Sequence, residues 1–253
     1  MRKMRPELSA LIELGLLFLP SIPALIWLWP NLGETALFYV VQSLAYLYVF
    51  CGVLFIGLRR WTWSQLGLNR LGIGLSLICG AVLIAERLLA PLALGFSLSP
   101  RAFDLWRALG EIIFYLGLVG VVEEVLFRGL VFRILESWRG PGLAIVGSSL
   151  GFALWHIGWM GSLIIAPFLI GLVFGLVRWC AGGLVGLIFV HGLFDLVSVE
   201  MPMPIAINSI DQVSHLTITN PVAVAVGDAL LVALVLYLWK IHPRLVKRSE
   251  RSE

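Results

Sequence analysis

The chain has 253 residues, of which 60% are hydrophobic and 13% charged, with a formal net charge of +3. An average soluble domain is about 45–50% apolar and about 25% charged, so this chain has too few charges to cover a water-facing globule. That balance argues against an ordinary soluble enzyme, a disordered chain and a secreted disulfide scaffold.

A helix that crosses a bilayer needs about 20 mostly apolar residues. Continuous apolar runs lie at 8–29, 35–58, 71–95 and 105–122, then at 142–158, 163–178, 184–199 and 221–240. The first begins like a signal peptide but shows no small-x-small cleavage site, and it reads as an uncleaved span. The run at 163–178 is short and fits only inside a bundle. Pro20, Pro23, Pro91 and Pro167 mark kinks or ends. The runs are continuous rather than alternating, which disfavours a β-barrel. The expected fold is an all-α polytopic membrane helix bundle of about eight transmembrane helices. It forms a single integral membrane domain over residues 1–253.

With the N-terminus placed inside, 15 of the 18 Lys and Arg residues fall on inner segments. Arg101 lies outside, and Arg87 and Arg107 fall within spans. The asymmetry predicts that both termini are cytoplasmic. No basic run is interleaved with aromatics, so no nucleic acid partner is expected. Cys51, Cys79 and Cys180 lack metal-ligand spacing and read as small buried hydrophobes. Glycines recur four apart at Gly147 and Gly151, Gly171 and Gly175, and Gly182 and Gly186. Such pairs let helices approach closely, and packing within one bundle is favoured over a dimer seam. A homo-oligomer is left open.

Ionisable side chains inside a membrane are costly and mark functional sites by default. Glu123 and Glu124 are adjacent, so a helix points them about 100° apart and toward different partners. Glu124 precedes Arg128 by four residues, the favourable order for a helical ion pair. Glu123 is then free to accept a proton. Phe152 and His156 follow in the next apolar run, and His191 and Asp195 share one face of a later helix. Each of these polar groups must find partners, and the nearest are one another. Taken at its limits, the run at 105–122 puts Glu123 at its inner end, with His156 at the far end of the next span. The two then cannot meet. A helix reaching from 105 to about 137 would bring Glu123 nearer mid-depth. Of the aromatics, Trp155 and Trp159 flank His156, and packing explains them as well as substrate contact does.

The order Glu-Glu-x-x-x-Arg, Phe-x-x-x-His, His-x-x-x-Asn/Asp resembles the CPBP family of CAAX proteases and bacteriocin-processing enzymes. Glu123, Glu124 and Arg128 match the first motif, Phe152 and His156 the second, and His191 and Asp195 the third. The resemblance spans residues 105–199 as a catalytic core. It implies a glutamic-type intramembrane endopeptidase that needs no cofactor and acts on a peptide or protein within or at the lipid bilayer. It also implies a bacterial-type member in the inner (plasma) membrane. By the same resemblance, Glu123 and His156 activate a water, with Glu124 and Arg128 as support. His191 and residue 195 stabilise the oxyanion. Asp195 departs from the Asn of the members best understood mechanistically, and an ionised carboxylate cannot donate a hydrogen bond as an amide can. The preferred resolution is that Asp195 keeps His191 protonated.

Zinc held by Glu123, His156 and His191 ranks lower, because the spacing is not His-Glu-x-x-His. A non-catalytic membrane scaffold that keeps the protease fold is the alternative function. A transporter ranks last, because no inverted repeat is visible.

Overall fold

The computed structural model describes residues 5–20, 36–93, 104–156 and 164–200, with positions 233, 234, 236–238 and 240. Every regular element among them is helical. α1 spans Pro6–Phe18, α2 Ala36–Leu58 and α3 Ile73–Ala93. A continuous helix, α4, runs through residues 105–139, and α5 spans Pro141–Trp155. α6 spans Ile165–Ala181 and α7 Val185–Glu200.

Local chemistry sets these limits. Pro6 starts α1, where a missing N–H does no harm, and the helix stops before Pro20. α1 is thus shorter than the expected span at 8–29, whose remainder from 21 onward lies outside the described residues. The expected span at 221–240 also falls mostly outside them, as do both termini. Asp104 caps α4 by accepting from the Arg107 N–H at 2.7 Å. Gly140, at φ +85°, breaks the chain between α4 and α5, and Pro141 opens the next helix. Gly182, at φ +76°, closes α6 by donating to the Arg178 carbonyl.

α4 is the central element, and it runs on past the apolar limit at 122, as the longer alternative from 105 to about 137 required. Its 35 residues reach roughly 52 Å at about 1.5 Å per residue. Two stretches, Ile113–Val119 and Val125–Val131, have π-helical geometry, and between them lies the α-helical turn Gly120–Glu124. π turns inside α-helices are frequent at functional sites.

α7 crosses the middle of α4 with almost no space between the backbones. A Cβ on Gly120 would stand 2.7 Å from the Ile188 carbonyl oxygen. One on Gly192 would stand 2.6 Å from Leu116 Cα. The six spaced glycines face neighbours within the bundle or end a helix. Gly171 and Gly175 meet Ser149 and Ile145, while Gly147 and Gly151 meet Leu135 and Phe127. Gly186 meets Ser76.

Two apolar clusters form the interior. One joins α3, α5, α6 and α7 through Leu83, Ile145, Phe174 and Leu187. The other joins α1, α2, α4 and α5 through Leu14, Val53, Leu126 and Phe152. The loop between α2 and α3 is clamped to the α6–α7 corner. Leu184 N–H donates to the Gly67 carbonyl at 2.7 Å, and the Asn69 amide donates to the Gly182 carbonyl at 3.2 Å. Among the described residues, one helix is long and apolar enough to cross a bilayer, over Val40–Leu58 with mean hydropathy 1.9. α5, α6 and the Val185–Ser198 part of α7 are shorter apolar helices.

Candidate active site

The six polar residues singled out by the sequence meet where the two apolar clusters join. Glu123, Glu124 and Arg128 come from the middle of α4, His156 from the end of α5, and His191 and Asp195 from α7. Of the two helix limits weighed for Glu123, the longer one holds, and Glu123 Oε2 lies 3.7 Å from His156 Nε2. The reason is the length of α4, which puts Glu123 mid-helix instead of at an end.

Glu124 and Arg128 form the interior of the site. Both are fully buried, and Arg128 NH1 donates to Glu124 Oε1 at 3.0 Å. Arg128 NH2 donates to the Gly171 carbonyl at 3.3 Å. The guanidinium lies over the Phe152 ring at 4.3 Å and near the Phe174 ring at 5.3 Å, which offsets part of its desolvation. Beneath it, Arg178 Nε donates to the Arg128 carbonyl and Arg178 NH2 to the Gln65 carbonyl, each at 3.2 Å.

The two glutamates do share a partner, contrary to expectation. His191 Nδ1 donates to Glu124 Oε1 at 2.8 Å. Its Nε2 lies 3.7 Å from Glu123 Oε2. An imidazole carries nitrogens on two sides, so one ring can address two carboxylates that diverge around a helix. Asp195 Oδ2 stands 3.5 Å from the same Nε2, one helical turn further along α7. The Gly120–Gly192 contact allows this approach, because His191 precedes Gly192 and Glu123 lies one turn after Gly120.

His156 donates from Nδ1 to the Phe152 carbonyl at 2.8 Å, because a carbonyl can only accept. That bond fixes the tautomer and leaves Nε2 to face Glu123. Glu123 is asymmetric. Its Oε1 accepts from Tyr46 Oη at 2.6 Å and from Trp155 Nε1 at 3.0 Å. Its Oε2 has no hydrogen-bond partner among the described residues. The rim is more open than the interior: the His156 side chain is 23% exposed and that of Asp195 25%.

Residues 105–197 match the family model described as type II CAAX prenyl endopeptidase Rce1-like. These residues are thus similar to an Rce1-like domain. All six candidate residues lie inside these limits. No curated protein and no solved structure matched the chain. Tyr46 lies outside the Rce1-like domain, and sequence reasoning missed it. It sits in a long apolar run beside other aromatics, and nothing in its spacing sets it apart. Trp155 had a signal in its adjacency to His156, yet packing explained it equally well.

Proposed function

We propose that this chain is a membrane-embedded endopeptidase of the glutamic type, with Glu123 as general base. One arrangement carries the reading. Glu123 has one oxygen held by two donors, while the other faces the Nε2 atoms of both His156 and His191 at 3.7 Å. That separation is too long for a direct hydrogen bond and fits a bridging water. Glu123 Oε2 takes a proton from this water as its oxygen attacks a peptide carbonyl. His156 Nε2 accepts the second O–H and aims the lone pair. The carbonyl oxygen becomes an oxyanion, which accepts from His191 Nε2–H. Glu123 then passes its proton to the departing amine, so the proton count closes.

His191 must carry hydrogen on both nitrogens for this role. Its Nδ1–H is committed to Glu124, and Glu123 and Asp195 flank Nε2. Three carboxylates around one ring favour the imidazolium, which gives Asp195 a task that an Asn amide would meet differently. Arg128 compensates Glu124, so the ring has one fixed anion behind it.

The membrane setting is supported by large apolar side chains on the outside of the bundle. Phe55 is 63% exposed, Ile78 66% and Ile113 70%. Exposed apolar surface on this scale calls for lipid or a partner. The Rce1-like description supports a protein or peptide substrate.

The same three atoms bear on the zinc reading, because both imidazoles anchor Nδ1 and present Nε2. Zinc bonds of about 2.0–2.1 Å would require the three ligand atoms to close in. Among the described residues, no group of His, Cys, Asp or Glu side chains is arranged to hold a metal.

The decisive experiment compares wild type and Glu123→Gln, each in lipid nanodiscs, against a quenched-fluorescent peptide library. Cleavage by the wild type and none by the variant is expected. Equal cleavage by both would refute the role of Glu123. No cleavage by either, with both proteins rescuing the same deletion phenotype, would favour the scaffold.

A further inference from the structure

We infer that Tyr46 is a positioning residue for the general base, supplied by α2 from outside the Rce1-like domain; this rests on the endopeptidase reading above. Its hydroxyl makes the shortest contact to Glu123, 2.6 Å to Oε1. Trp155 Nε1 reaches the same oxygen at 3.0 Å from the opposite chain segment. The two rings stand edge to face, with centroids 6.1 Å apart. Tyr46 also leans on Phe114 of α4 at 6.3 Å, and Trp155 on Phe127 at 6.2 Å.

The effect is a two-point clamp on one carboxylate oxygen. A free glutamate rotates about its last torsion, which is broad and roughly two-fold, so either oxygen can face the reacting centre. Two donors on Oε1 remove that freedom and turn Oε2 toward His156 and His191. Both donors belong to aromatic side chains that have few rotamers and are packed on each other, so the clamp is pre-organised. α2 holds Tyr46 in place through Val49, Val53 and Ile56, which pack in the same apolar cluster as Val122 and Leu126 of α4. The catalytic carboxylate is therefore aimed by a helix that contributes no charged group to the site.

Tyr46→Phe removes the hydroxyl alone and keeps the ring contacts. A hydrogen bond to a charged group is worth about 1.5–3 kcal/mol, which corresponds to roughly a tenfold to hundredfold loss in kcat. Cleavage of the peptide library's fastest substrate is measured in nanodiscs, together with the thermal unfolding midpoint. The expected result is that kcat falls within that range while KM and the midpoint stay near wild type. Trp155→Phe tests the other half of the clamp. The double variant should lose more than the product of the single losses, because one remaining donor still restrains the oxygen in part and its removal frees the torsion fully.

An unchanged kcat for Tyr46→Phe overturns the inference. So does a kcat loss that tracks a lowered unfolding midpoint, which would show a packing role. A raised KM with unchanged kcat would place Tyr46 on the substrate and also overturn it. Glu123→Gln separates the two levels. If it is inactive while Tyr46→Phe is normal, only the clamp fails. If Glu123→Gln cleaves like the wild type, the general-base reading itself fails.

Discussion

Replacing Arg128 with Met tests how the interior of the site is held. The substitution keeps most of the side-chain volume and removes the charge from a fully buried position. Three interactions go with it: the 3.0 Å ion pair to Glu124, the 3.3 Å bond to Gly171, and the stacking on Phe152 and Phe174. Breaking one side of a buried ion pair costs about 3–5 kcal/mol, because the remaining charge is left uncompensated. Glu124 keeps one partner, His191 at 2.8 Å, so the lower end, about 3 kcal/mol, is expected. Adding Glu124→Gln removes the stranded charge, and the double variant should regain most of the loss. The assay is equilibrium unfolding of the four proteins of this cycle in one detergent, read by tryptophan fluorescence. Equal stability of the single Arg128→Met and the double variant would refute the reasoning, since Glu124 would then not depend on Arg128 for its charge.

Asp195→Asn should reduce kcat by about tenfold or more if Asp195 sustains the imidazolium of His191; activity equal to or above wild type would show that no carboxylate is required there. Gly192→Val should destabilise the bundle by about 1–3 kcal/mol or more, because its Cβ meets the backbone of α4; an unchanged unfolding midpoint would mean that α4 and α7 do not touch at this point. Incubation with a strong zinc chelator should leave peptide cleavage unchanged. Loss of cleavage that zinc restores would reverse the ranking of the water and metal readings.

The helical class and the six candidate residues stand out in the sequence because their cause is local. A charged side chain in an apolar run stands out, and its four-residue spacing to a partner follows from helix geometry alone. Glu124 with Arg128 and His191 with Asp195 are of this kind. The depth of Glu123 was harder to read, because apolar continuity alone placed the helix end near 122, whereas α4 continues through Arg128 and Arg133 to Arg139. Those later arginines are tolerated where their charge finds a partner, as Arg133 finds Glu136 at 2.8 Å. The π-helical stretches had no sequence signal. The shared use of His191 by both glutamates was missed because helix geometry describes directions around one axis and not the two-sided shape of the facing ring. Tyr46 was missed for a third reason: its partner lies 77 positions away, a distance at which spacing carries no information.

The contrast between the sealed interior of the site and its rim bears on product traffic. Arg178, Gln65 and the loop clamped at Gly67 close the Arg128 end, whereas His156 and Asp195 border the open end. On the proposed endopeptidase reading, both halves of a severed chain would leave past His156 and Asp195, the more exposed side of the site among the described residues. The fragments would then depart in sequence, and the more apolar one would linger and compete with the next substrate. Turnover would then slow as cleaved material accumulates, and release into the surrounding lipid would matter as much to the rate as the hydrolysis.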